Sequence, residues 1–234
     1  MGERLDKFLS SQGLGTRKEV GKLVRSGGVT VDGKPEKDPG AKVEPEQMAI
    51  EVNGRPVCYR EHLYIMMNKP AGVLSATEDR HAQTVLDLLT EDLRRRGLFP
   101  AGRLDKDTTG LLLITDDGEL AHNMLSPKKH VYKLYLAKLD APVNREDEEA
   151  FSAGIRWQGE IYAPGRLWAG EDPFYGFVEI REGRFHQVKR MFEARGKTVL
   201  ELKRLKIGGL QLDETLGEGE CRLLTPQEVQ SIFR

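Results

Sequence analysis

The chain is short of cysteine, of aromatic residues and of any long apolar run. Two cysteines in 234 residues, Cys58 and Cys221, fit reduced structural thiols rather than a disulfide framework, and neither stands in a cluster of metal-type ligands. No stretch approaches the length of a membrane span. The opening MGERLDKFLSS lacks the apolar core of a secretion signal, so a cytoplasmic location is expected. Charge of one sign is missing too. Lys and Arg number 36 against 37 Asp and Glu, a net charge of -1, which excludes a uniformly basic binder of polyanions. The basic residues are unevenly spread, however: residues 181–206 hold nine Lys or Arg against three Glu. A local basic face is therefore compatible with the neutral total. What is present is 38% hydrophobic content in a length that suits two modest globular domains.

In the first fifty residues, Leu5, Phe8, Leu9 and Gln12 have helical spacing. Thr16 with Glu19 forms a capping box for a second helix, whose apolar side includes Val20, Leu23 and Val24 and which Gly27-Gly28 ends. Val29 to Lys34 reads as a strand entering an Asp-Gly turn. The strings RLDKFL and GxVxVDGK and the Thr-Arg-Lys helix start resemble the S4-type RNA-binding module, although its usual acidic close is replaced by Glu46-Gln47-Met48. That resemblance implies that Arg4, Lys7, Arg17, Lys18, Lys22 and Arg25 hold RNA phosphates together with helix amides. By themselves, seven basic against four acidic residues up to Lys34 equally describe a solvated helix face.

Residues 53–62 are polar, contain Gly54 and Pro56, and read as a hinge. The expected organisation is an S4-like domain over 1–56, a linker over 57–63 and a second domain over 64–234. The second domain opens with a buried strand at Tyr64-Ile65-Met66-Met67, stopped by Asn68-Lys69-Pro70. Helices are predicted over 84–93, 119–125, 144–151 and 186–195, strands over 133–139, 174–181 and 198–207, and a last helix capped by Thr225-Pro226-Gln227-Glu228. Strands and helices interleave without a repeat, which predicts an α+β fold with a mixed sheet.

The most informative run is AGRLDKDTTGLLLITDDG, residues 101–118. Gly102 and Gly110 free the backbone for tight turns. Leu111 to Ile114 read as a core strand, and Asp105 lies on the loop before it, near Arg103. The residues alone leave open that Asp105 merely closes a turn, the role expected of Asp107 before Thr108. The run resembles GRLDxDTxGLxxxTxDG, the active-site motif of pseudouridine synthases in the RsuA-like branch. Three further segments extend the resemblance: NKPAGVLSAT at 68–77, Lys133-Leu134-Tyr135, and GRFHQVKRMF with LKRLKIGGL. TTGL, TDDG, SPxxH and LxxPV, between 108 and 143, are nearest to the type that acts on small-subunit rRNA.

This resemblance implies a cofactor-free isomerase, monomeric, that converts a uridine of ribosomal RNA to pseudouridine. The expected substrate is 16S rRNA or an assembling small-subunit particle. Asp105 would trap or stabilise the sugar as uracil leaves. Tyr135 would stack on the base, Leu202 would form an apolar wall, and Lys189 would keep Asp105 ionised. Arg103 would meet Asp105 or a phosphate, and Arg190, Arg204 and the basic residues from Lys203 to Lys206 would hold the RNA backbone. The target nucleotide would be flipped out. His186 is expected to make a structural hydrogen bond to backbone, and Arg94-Arg95-Arg96 to be a solvated helix end. Three other readings compete: a large-subunit synthase, a non-catalytic RNA-binding assembly factor that would not need Asp105, Tyr135 and Lys189 together, and a metal-dependent nuclease using Asp105, Asp107, Asp116 and Asp117.

Overall fold

The computed structural model describes residues 2–95 and 97–234, and their contacts divide into two units: the chain up to His62 together with Thr90–Leu98, and Leu63–Leu89 with Phe99–Arg234. In chain order the first unit contains β1 (Glu3–Arg4), α1 (Leu5–Ser11), α2 (Arg17–Arg25), β2 (Val29–Val31), β3 (Lys34–Pro35), β4 (Lys42–Val43), β5 (Ile50–Val52) and β6 (Arg55–Pro56). The capping box at α2 forms as expected, Thr16 receiving the Glu19 amide and Glu19 the Thr16 amide. Leu5, Phe8, Leu9, Val20, Val24, Val29, Val43 and Ile50 make the core. Residues 53–56 are not a hinge. Asn53 and Gly54, at φ 50° and 74°, form the tight turn from β5 to β6, a conformation that Asn-Gly adopts at little cost.

Arg4, Lys7, Arg17, Lys18 and Arg25 are all exposed on this unit. Arg4 and Arg17 are already held by one buried carboxylate, Asp6, at 2.8 and 3.1 Å. Hydrogen bonding from Arg4 is the main cause that lowers the Asp6 carboxyl to about 2. Lys7 lies 3.5 Å from Glu3. The arginine run at 94–96 is also not a free helix end: Arg95 donates to the carbonyls of Arg60 and Glu61 at 2.9 and 2.8 Å, and Arg96 lies outside the described residues.

The second unit contains β7 (Tyr64–Lys69), β8 (Phe99–Pro100), β9 (Thr109–Thr115), α3 (Gly118–Leu125), β10 (Lys133–Leu139), α4 (Arg145–Ala153), β11 (Ile155–Trp157), β12 (Glu160–Tyr162), β13 (Arg166–Ala169), β14 (Tyr175–Ile180), α5 (Gln187–Glu193), β15 (Val199–Ile207), β16 (Leu210–Gln211), β17 (Cys221–Leu223) and α6 (Pro226–Ser231). The main sheet runs β13-β14-β10-β15-β9-β7-β17, with β16 on β15 and β8 on β9. Only β15 and β9 pair in parallel among these strands. At that junction Gly110 has φ 97°, and a Cβ there would lie 2.3 Å from the Arg204 carbonyl oxygen, so the crossing admits no side chain.

The helix expected over 84–93 is absent. Asp87 accepts from both the amide and the hydroxyl of Thr84, Leu74 bridges Thr84, and only Glu91–Leu93 makes a short 3-10 turn. Local side-chain hydrogen bonds here win over helix propensity. Among the described residues no helix is long and apolar enough to cross a membrane.

Candidate active site

Asp105 stands on the loop between β8 and β9, and the segment after β7 clamps that loop. Ser75 Oγ donates to the Leu104 carbonyl at 2.9 Å and accepts from the Leu104 amide at 3.1 Å. Lys69, fully buried at the end of β7, donates to the carbonyls of Pro70, Lys106 and Thr108 at 2.9, 3.2 and 3.0 Å. The Gly72 amide adds a bond to the Lys106 carbonyl at 2.7 Å. Burial of the Lys69 ammonium pushes its pKa down to about 8, with Asp107 and Asp105 opposing. In the sequence Lys69 reads only as the stop of a strand, and Ser75 carries no local signal of its role. The signal available was a lysine closing an apolar strand, since a buried ammonium needs a cage of acceptors.

The loop borders a pocket whose walls include Arg103, Asp105, Thr108, Tyr135, His186 and Leu202. Tyr135 comes from β10 and Leu202 from β15; the pairings Tyr135 with Arg204 and Ala137 with Leu202 place both side chains on one face. Both are buried at 8% and 7% exposure, so they can form walls rather than surface.

Lys189, on α5, brings Nζ to 3.3 Å from Asp105 and to 2.6 Å from Asp107. Asp107 is thus not only a turn residue but the nearer partner of this lysine, and the hydrogen bond from Lys189 is the main cause that lowers its carboxyl. His186 differs from expectation too. Its Nε2 lies 3.6 Å from Asp105 Oδ1, and its backbone sits in the left-handed region at φ 51°. Gln187 fixes this turn from inside, accepting from the Arg184 amide and donating to Glu182, both at 3.1 Å.

Arg103 borders the pocket with an exposed side chain. Arg190 does not reach the pocket; its guanidinium lies 5.1 Å from the Phe185 ring centre and 3.5 Å from the Tyr162 hydroxyl. Arg204 is the clearest correction. It is 4% exposed, pairs across from Tyr135, and donates through Nε to the Leu111 carbonyl at 2.7 Å, so it is built into the sheet rather than presented on the surface. Lys203 and Lys206 pair with Leu136 and Leu134 and point to the other face.

Asp116 accepts from the Leu63 amide at 2.9 Å, and Asp117 caps α3 by accepting from the Leu120 amide while also accepting from the Tyr64 hydroxyl, so both already have structural partners. Among the described residues no group of three His, Cys, Asp or Glu is placed to hold a metal ion. The site sets one carboxylate, flanked by an ammonium and an imidazole, beside an aromatic ring and a leucine. Such a pocket suits a flat polar ring and an attached group that gains positive charge.

Residues 63–194 match the family model for RNA pseudouridylate synthase, and residues 3–49 match the S4 domain. A protein of Bacillus subtilis named as an uncharacterized RNA pseudouridine synthase, YtzG, is 49% identical, with 97% of this chain and 96% of that one covered. The ribosomal small subunit pseudouridine synthase A of Vibrio cholerae is 45% identical over 99% of this chain and its own full length, and that of Escherichia coli is 41% identical over 98% and 99%. A crystal structure of a pseudouridylate synthase superposes with a TM-score of 0.69 at 38% identity, covering 98% of this chain and 99% of the other. By its site, its fold and these relatives, the chain belongs to the RNA pseudouridylate synthase family, isomerases that act on RNA, and carries an S4 domain at its N-terminus.

Proposed function

We propose that this enzyme converts one uridine of small-subunit ribosomal RNA to pseudouridine, acting in the cytoplasm as a monomer. The observation that carries the reading is the Asp105 carboxylate beside Lys189 at 3.3 Å, in a pocket shared with Tyr135 and Leu202. Asp105 takes up the developing positive charge at the sugar as the N-glycosidic bond breaks. The freed uracil, held between Tyr135 and Leu202, turns and bonds to the sugar through carbon five. The proton lost from carbon five is balanced by one gained at nitrogen one, so the sum is an isomerisation and needs no external oxidant or reductant. Lys189 gives the Asp105 carboxylate an ammonium partner at 3.3 Å. The uridine reaches this pocket by turning out of its stack.

The small-subunit substrate is favoured by the full-length likeness to proteins named ribosomal small subunit pseudouridine synthase A. Residues 1–56 serve RNA affinity through Arg4, Lys7, Arg17, Lys18 and Arg25, residues 57–63 link, and residues 64–234 carry the chemistry, with Arg103 meeting a phosphate at the rim. Two measurements test this. Asp105→Asn should abolish tritium release from uridine labelled at carbon five while RNA binding persists; undiminished release would sink the assignment. Small- and large-subunit particles should be offered separately, and modification confined to the large subunit would overturn the target.

A further inference from the structure

Phe185 is 68% exposed, more than the other exposed large hydrophobic side chains of the described residues. Single exposed apolar residues are ordinary, but this one is held in place. Its ring stacks on His186 with centres 3.8 Å apart and planes 18° apart, and the Arg190 guanidinium lies 5.1 Å from its centre. Rings of adjacent residues usually diverge, and the left-handed backbone at His186 brings these two onto one side. A non-glycine residue in that region is strained, and strain of this kind persists where the surroundings over-determine it. His186 in turn lies 3.6 Å from Asp105. A ring that is 68% exposed is therefore linked, through one intervening ring, to the Asp105 carboxylate. Phe185 does not border the pocket itself. It stands outside it, among Arg184, Lys189 and Arg190.

We propose that Phe185 is a second base subsite: it stacks on an RNA nucleobase next to the target uridine, while the target occupies the pocket. The ligand is a nucleobase rather than an apolar side chain because the Arg190 guanidinium, 5.1 Å from the ring centre, puts a cation beside the ring, which suits the phosphates flanking a stacked base, while Arg184 and Lys189 are paired with Glu160 and with Asp105 and Asp107. A base beside a flipped nucleotide has lost one stacking neighbour, and Phe185 replaces it. This rests on the target uridine being turned out into the pocket, and it makes Phe185 a positioning residue for RNA.

The test uses the full chain and an rRNA fragment that the wild-type enzyme modifies, with 2-aminopurine placed immediately 5′ or 3′ of the target uridine. Binding should quench one of the two probes, and Phe185→Leu, which keeps apolar bulk, should abolish that quench at saturating protein. Phe185→Leu should raise KM about tenfold, as expected for one lost stacking contact, with kcat little changed. Phe185→Trp should restore both quench and KM. An unchanged KM with an unchanged quench overturns the subsite, and so does a loss of kcat at constant KM, which would mean that Phe185 acts only by supporting His186. Wild-type tritium release in the same samples reads the isomerase activity separately, and the quench reads the subsite without turnover.

Discussion

Lys189 Nζ sits 2.6 Å from Asp107 Oδ1, closer than it sits to the carboxylate it is expected to serve. The lysine therefore bridges two acids of the motif. Asp107 is 73% exposed and Asp105 only 26%, so water screens the first far more than the second. Asp107→Asn should lower kcat/KM by less than about fivefold, the scale of an exposed ion pair. Lys189→Met, which leaves Asp105 without its ammonium, should cost on the order of a hundredfold or more. Single-turnover rates on rRNA fragments check the ranking. A larger loss for Asp107→Asn than for Lys189→Met would reverse the roles.

The clamp on the Asp105 loop gives a second expectation. Ser75→Ala removes both partners of the Leu104 backbone at once, in a buried place, and should destabilise the protein by about 1–3 kcal/mol. It should also lower kcat more than it raises KM, because the loop positions the carboxylate and not the RNA. Urea unfolding with steady-state kinetics on one preparation separates the two effects. A change in KM alone would show that the loop serves binding.

Lys69 gives a pH signature. Its pKa is lowered from 10.5 to about 8 by burial. Between those values the unfolded chain keeps the proton and the folded chain has released it, so stability rises with pH across the window. Lys133, lowered to about 8 by burial and then by Arg204, acts in the same direction. Unfolding measured from about pH 8 to about 10.5 should show the rise, and Lys69→Met should make it shallower. A steeper rise in the variant would contradict the buried neutral lysine.

Asp6 predicts the opposite limb. Its carboxyl is lowered from 3.8 to about 2, first by the hydrogen bond from Arg4, so its contribution is present above pH 3.8 and is lost as pH falls toward 2. Asp6→Asn should flatten the acid limb of stability between those values, read by circular dichroism. An acid limb identical to wild type would remove Asp6 from that role.

Salt dependence separates buried from accessible arginine and lysine. Lys18→Gln should reduce the slope of log K against log salt by about one, as for a lost phosphate contact. Arg204→Met should leave the slope unchanged, since that guanidinium is buried against Leu111. Filter binding across a salt series is sufficient. A reduced slope for Arg204→Met would mean that the residue reaches RNA after all.

The elements most legible in the sequence were those whose ends carry their own chemistry. The Thr16–Glu19 and Thr225–Glu228 boxes bound α2 and α6, whereas burial alternates along Lys133–Leu139 in a way its residue types hide, with Lys133 buried and Leu134 and Leu136 half-buried. Misreadings occurred where a distant partner decides the outcome. Thr84 is taken from a helix by Asp87 and Leu74. Arg204 reads as an exposed cation until the Leu111 carbonyl is brought beside it, 93 residues away in sequence. Asp105, Tyr135, Leu202 and the approach of Lys189 to Asp105 were legible through a family motif; the reach of His186 to Asp105 and of Lys189 to Asp107 was not. That reach depends on how α5 is aimed, which no local pattern records.

The place of β15 in the sheet sets a schedule for synthesis. Asp105 precedes β9 and Tyr135 lies on β10, yet the two strands are not neighbours; β15, made last of the three, stands between them. The first unit, by contrast, needs nothing beyond Leu98. Domains form in order as the chain leaves the ribosome. The N-terminal unit can therefore mature while synthesis continues, and the pocket cannot exist until Ile207 has been released. A nascent chain thus has no complete pocket while β15 is unmade, however much of β9 and β10 has already formed.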